Sequence, residues 1–368
     1  MTFSYRFGLA AVLGLAVAAP ATAAVSPAVG KPLQAAANAI KSGNSAAAGA
    51  SINAAKAAAR TAEERTKVAQ MAGYVYTRGG QYSKAAAELE SVGAPARTLA
   101  PLYYQAGNYS KAVALAKQAG GEDMQILIAQ ASVRQGRYGE AVTAYNNLIK
   151  SNGPKAIYLE NLAGAQFKAG DKKAYLATTE KLVRVDGSPA RWKTLLVEQQ
   201  KNQMSPQAKL ALFHLMATTN NISRPEDYQE FAKLAIVNNQ PGVAQQILTQ
   251  AGGGASSDPM AAKLAQAAQQ RSQAAALTAP KLAASPATAA QAGGAYLGLG
   301  QYPAAIAAYG KAVTAGGPDA DAARLFQGIA QVKAGQSGAA KGTFASVSDT
   351  SGVKDIANLW QLYASTHS

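Results

Sequence analysis

Small and apolar residues recur along the chain at helical spacing, and one recurring interruption breaks the pattern. A small residue is followed seven positions on by Gly, two later by Tyr and three further by Ala, as in Gly73, Gly80, Tyr82, Ala85. The set returns as Ala100, Gly107, Tyr109, Ala112, then as Ala129, Gly136, Tyr138, Ala141, and again as Gly293, Gly300, Tyr302, Ala305. Degenerate copies keep the same register around Gly43, Gly170, Gln203, Asn239 and Gly335. Each unit reads as two helices joined by a tight turn. The Gly ends the first helix in a left-handed conformation, and the small residues on either side let the two helices approach closely. Apolar residues at helical spacing complete each second helix, as Tyr145 with Leu148 or Tyr309 with Ala312. Gly-Pro punctuation separates units at Gly153-Pro154 and Gly317-Pro318.

These motifs resemble the tetratricopeptide repeat family, specifically its Ala-rich exported members in Gram-negative bacteria. The match runs through Ala72-Gly73, Tyr76, Gly80, Tyr82 and Ala85, and through Ala292-Gly293, Tyr296, Gly300, Tyr302, Ala305 and Tyr309. The resemblance implies an all-α fold, a right-handed α-solenoid of stacked helix-turn-helix hairpins. It covers most of residues 27 to 365. One departure stands out: turn positions 80, 107 and 136 are only 27 and 29 residues apart, short of the usual ~34. Trimmed second helices or abrupt loops are expected there.

Four segments are expected: a signal peptide over 1–24, a solenoid of up to seven hairpins over 27–250, a linker with a degenerate helical segment over 251–286, and a terminal repeat pair with capping helix over 287–368. Within the third, Met260 to Leu277 reads as a helix and Thr278 to Pro286 as a Pro-containing stretch, and the 61 residues between turn positions 239 and 300 leave room for one hidden hairpin. Ile356, Leu359, Trp360 and Tyr363 share one face of the capping helix. At the N-terminus Arg6 precedes an apolar run from Gly8 to Ala19, Pro20 breaks it, and Ala21-Thr22-Ala23 supplies small residues for cleavage. Export to the periplasm is the expectation, with secretion or a retained signal anchor as lesser alternatives.

Composition narrows the chemistry. The 368 residues include no cysteine and two histidines, so disulfides, thiolate metal sites and histidine clusters are excluded. His214 reads as a helix-surface or partly packed histidine and His367 as part of a disordered end. Ser351-Gly-Val-Lys354 matches the SxxK of serine acyl-transfer enzymes, yet the companion SDN and KTG motifs are missing. No phosphate-cradling loop is present. No enzyme activity, cofactor or metal is expected.

Charge points to recognition: 35 Lys and Arg face 20 Asp and Glu. In the family it resembles, the first helix of each hairpin lines a concave groove, and the residue two before the turn Gly points toward it. That position holds Lys41, Arg78, Arg134, Lys168, Lys201 and Lys333, with Tyr74, Tyr104 and Phe167 expected to face inward from first helices. A cation in a helix's last turn is also favoured by the macrodipole, by ~0.3–1 kcal/mol, so the row fits helix capping as well as a ligand. The family's carboxylate clamp is not carried over, because none of the matching positions is Asn. A protein partner in the cell envelope is the first expectation and an anionic envelope polymer or membrane surface the second. Export argues against nucleic acid.

Overall fold

A computed structural model describes residues 25–252 and 259–367. The expected signal peptide and most of the Gly- and Ser-rich break after Ala251 lie outside the described residues. Twenty α-helices and one short 3-10 helix, Pro286–Thr288, make up the described chain, with no strand among them. The all-α expectation holds. The chain forms two compact units that divide after Thr178.

Unit 1 is built of helix pairs: α1 (Pro27–Lys41) with α2 (Ser45–Ala58), α3 (Ala62–Arg78) with α4 (Tyr82–Ser91), α5 (Ala96–Gln105) with α6 (Tyr109–Ala119), and α7 (Glu122–Arg134) with α8 (Tyr138–Asn152). Helix α9 (Ala156–Lys168) and the start of α10 (Lys172–Val185) complete it. The repeat residues explain the pairing. Gly80, Gly107 and Gly136 take φ of +71°, +80° and +75°, the left-handed turn only Gly adopts without strain. Tyr82, Tyr109 and Tyr138 each open the following helix, and Ala85, Ala112 and Ala141 are fully buried where the two helices meet. The close spacing of these turns is met by short second helices of 10 and 11 residues, α4 and α6, against 15 for α8.

Gly73 shows why the first-helix position must be small. A Cβ there would lie 2.6 Å from Leu89 Cγ, sixteen residues on in the second helix. The same offset joins Gly293 to Tyr309, with 2.8 Å to the ring, and Gly328 to Phe344. Small residue and large knob are therefore one packing unit. At the start of α3, Thr61 and Glu64 form a capping box, and Glu64 also accepts from the Ser26 hydroxyl at 2.6 Å. These bonds, the Ser26 hydroxyl foremost, hold the Glu64 carboxyl down to about pKa 2.

Unit 2 contains α11 (Pro189–Gln200), α12 (Pro206–Thr218), α13 (Pro225–Val237), α14 (Pro241–Gln250), α15 (Pro259–Ala284), α16 (Ala289–Gly298), α17 (Tyr302–Ala315), α18 (Ala320–Lys333), α19 (Ser337–Ala345) and α20 (Lys354–Thr366). Gly300 and Gly335 turn at φ +72° and +75°, and Asn239 does so at +59°, while Tyr302 opens α17 and Ala305 is fully buried. At the degenerate Gln203 position no left-handed residue occurs, and the next one is Asn220 at +55°, between α12 and α13.

Two expectations for the middle of the chain are corrected. The helix from residue 260 does not stop at Leu277: α15 continues through Pro280 to Ala284, for 26 residues. This one long helix stands where a hidden hairpin was expected. Beside it α14 and α16 meet backbone to backbone. A Cβ on Gly294 would lie 2.8 Å from the Asn239 carbonyl, Gly242 and Gly298 abut, and Gln246 donates to the Gly298 carbonyl at 3.1 Å. A helix pair that closes by glycine contact leaves no slot for an intervening hairpin.

The core of unit 2 forms around α12, whose residues Leu210 through Met216 are all buried. A helix apolar all round must be enclosed, and α13, α18 and α20 all pack against it. Trp360 in α20 donates its indole N–H to the Ala211 carbonyl at 3.0 Å. Ile356 and Leu359 of the same helix are buried as well.

Candidate functional site

In unit 1 the first helices lie side by side, α1 against α3, α5 against α7 and α7 against α9. Their C-terminal ends therefore share one edge, and the expected binding residues map onto this layer. Lys41, Arg78, Arg134 and Lys168 are the last residues of α1, α3, α7 and α9, and all four are exposed. Tyr104 and Arg134 come together across α5 and α7, with Arg134 Nε directed at the Tyr104 hydroxyl at 3.4 Å. Desolvation raises the Tyr104 pKa against the opposing pull of Arg134. Tyr104 is only 6% exposed, so its ring serves the core more than a surface. Tyr74 is half-buried against the core of α1 to α5. Phe167 is 51% exposed and tilts against Tyr175 at 5.4 Å, and Ile157 on the same helix is 40% exposed.

The two remaining cations lie in unit 2 and have local partners. Lys201 follows the last residue of α11 and pairs with Glu198. Lys333 reaches α12, donating to Thr218 Oγ1 at 3.0 Å, and desolvation lowers its pKa. The chain's own α12 thus occupies the flank of α18 that carries Lys333.

His214 departs furthest from its reading as a surface or partly packed side chain. It is 4% exposed on α12, with Nε2 2.7 Å from Gln240 Oε1, and Gln240 continues to the Tyr309 hydroxyl at 3.5 Å. Phe231 and Phe326 meet the imidazole edge to face at 5.0 and 6.1 Å. Burial pushes its pKa down to about 3 and leaves the ring neutral. The sequence signal was available, since Leu210-Ala-Leu-Phe-His-Leu-Met216 leaves His214 no polar face to sit on. His367 follows α20 as its C-cap, with its ring stacked on Tyr363 at 4.1 Å.

Among the described residues, no group of three or more His, Asp or Glu is placed to hold a metal ion. The SxxK match comes apart: Lys354 bonds the Val347 carbonyl at 2.7 Å and pairs with Asp349 at 3.0 Å instead of serving Ser351.

What the arrangement offers is a layer of stacked helix pairs, the architecture of a helical-repeat binding module. The tetratricopeptide repeat model matches residues 126–178 and 291–346, one stretch in each unit. The chain is a helical-repeat protein, and these two stretches of it are similar to the tetratricopeptide repeat. No curated protein matches it. Among solved structures, the Naa15/Naa10 complex bound to HypK-THB is 17% identical at a TM-score of 0.41, over 89% of this chain and 55% of that one. The chain therefore spans about half the length of that relative. The TPR2AB domain of yeast Sti1, in complex with pHSP90, is 17% identical at 0.25 over 72% and 95%. A tetratricopeptide repeat protein from Parabacteroides merdae is 12% identical at 0.23 over 91% and 99%.

Proposed function

We propose that the chain is a non-catalytic scaffold that holds a protein partner against the first-helix layer of unit 1, in the periplasm of a Gram-negative cell. The observation that carries the reading is the exposure of large apolar side chains on α9, Phe167 at 51% next to the cation Lys168, and Ile157 at 40% near the start of the same helix. Apolar anchors flanked by charge suit a partner that buries its own apolar residues and places acidic ones at the rim. The periplasmic setting rests on Arg6, the apolar run from Gly8 to Ala19 and the small residues before Ala24.

The test is affinity capture from solubilised envelope with the wild type and a Tyr74→Ala, Ile157→Ala, Phe167→Ala variant, at low and high salt. A discrete protein retained by the wild type at both salts and lost by the variant is the expected result. Equal retention by both removes the first-helix layer as the site. The excess of basic residues favours a second reading, a module for an anionic envelope polymer or membrane surface, whose binding would fall steeply with salt.

A further inference from the structure

Charge in unit 1 is segregated along the helix axes. At the end where first helices begin and second helices finish, opposite charges alternate and pair between successive repeats. Lys56 pairs with Glu88, Arg97 with Asp123, and Lys155 with Glu122 at 2.8 Å. At the other end, where the hairpin turns lie, basic residues outnumber acidic ones, although Lys111 pairs with Glu90 at 2.7 Å and Arg137 with Glu140 at 3.1 Å. Exposed Lys41, Arg78, Lys84, Arg134, Lys168 and Lys173 define this edge.

The turns of successive hairpins adjoin. Ser45 Oγ lies 3.6 Å from where a Cβ on Gly79 would stand. A cleft between the next two turns is lined by Gly80 through Lys84 and by Gln105 and Ala106. Tyr104 and Arg134 bridge the two after that at 3.4 Å. With ~8–10 Å between packed helices, neighbouring cations stand about one Debye length apart, so their fields overlap along the edge.

Helix capping explains only half of this charge. Lys41, Arg78, Arg134 and Lys168 end first helices, where the dipole favours a cation. Lys84 is the third residue of α4, Lys173 the second of α10, and Arg137 the N-cap of α8. There the dipole disfavours a cation, and neither α4 nor α10 has an acidic residue in its first turn. Arg137 pairs with Glu140 in the first turn of α8 and Lys84 lies 5.7 Å from the Tyr76 ring, contacts that offset part of the dipole cost, and an anionic partner facing that edge accounts for the remaining basic excess.

Resting on the second reading above, we propose that the turn edge of unit 1, residues 41 to 173, docks on an anionic lipid surface. A rim of exposed cations at adjoining turns is open to an extended surface, whereas a single polymer chain would be held in a groove. Docking should need no insertion: none of the described helices is long and apolar enough to cross a membrane. Each cation near such a surface contributes roughly a fivefold gain in affinity.

The experiment is co-sedimentation of the full chain with vesicles of phosphatidylcholine alone or with phosphatidylglycerol at about a third of the lipid, at low and high salt. The edge variant is Lys84→Gln, Arg137→Gln, Lys173→Gln. The control is Lys31→Gln, Lys117→Gln, Lys150→Gln, three exposed cations away from the turns. Circular dichroism confirms that both remain folded. Binding only to anionic vesicles, weakened about a hundredfold in the edge variant and little in the control, is expected. Equal loss in both variants overturns the edge assignment. Binding to soluble polyglutamate but not to vesicles overturns the lipid surface and leaves the second reading standing. Binding to neither overturns both.

Discussion

Glycine and alanine carry the packing of this chain, and each glycine's neighbours decide what a methyl group would do. At Gly328 an added Cβ runs into the Phe344 ring, while at Gly49, inside α2, nothing lies within 4 Å. Gly328→Ala should destabilise by about 1–3 kcal/mol through overpacking. Gly49→Ala should stabilise by up to about 1 kcal/mol through helix propensity. Urea unfolding midpoints of the two variants should move in opposite directions. His214 carries the clearest pH dependence. Its folded pKa, about 3, lies below the ordinary 6.5, so the unfolded chain binds the proton first and stability falls as pH drops from 6.5 toward 3. Glu64, at about 2 against 4.5, adds a loss that begins only below pH 4.5. Between pH 6.5 and 4.5 the slope attributed to these two groups belongs to His214, and thermal melts of His214→Gln should be flatter there than those of the wild type. The repeated glycines were legible in the sequence because a turn and a close approach each demand one residue type. The apolar run around His214 already denied it a polar face, but that Phe231 of α13 and Phe326 of α18 enclose it is a tertiary fact no local pattern announces.

At the scale of elements, the turn glycines and the helices they separate follow directly from spacing. Gly107 has open space around it yet sits at φ +80°, so Gly107→Ala should cost about 1–2 kcal/mol from backbone conformation alone, measurable by urea titration. Reading failed where an element breaks the repeat. Pro280 suggests a helix end, since proline removes a backbone donor and crowds the preceding turn. Helix α15 nevertheless runs through it, packed along α14 and α16. Tertiary packing overrode the local preference. Pro280→Ala should therefore raise stability, by up to about 3 kcal/mol if the helix gains a full backbone hydrogen bond. Lowered stability in that variant would mean the proline shapes the seat of α15 on its neighbours. The excess of turn-edge cations at second-helix N-termini was present in the sequence as well, but only the stacking of hairpins shows that they share an edge with the first-helix cations.

Taken as a whole, the molecule is two compact units of helix pairs, and the candidate site is distributed unevenly between them. Seven of the nine binding residues expected from the sequence fall in unit 1. The two in unit 2, Lys201 and Lys333, bond to Glu198 and Thr218 of the same chain. Sequence spacing put four of the cations at first-helix ends, while what packs over each side chain, as α12 does beside Lys333 in unit 2, depends on tertiary structure. The central claim is that the first-helix layer of unit 1 receives a protein partner. Site-specific photo-crosslinking in the native envelope tests it most directly, with the photoreactive residue placed at Ile157 or Phe167 on α9, or at Lys117 on α6 away from that layer. The account predicts one discrete crosslinked protein from positions 157 and 167 and none from 117. Equal crosslinking from all three positions, or from 117 alone, would contradict it.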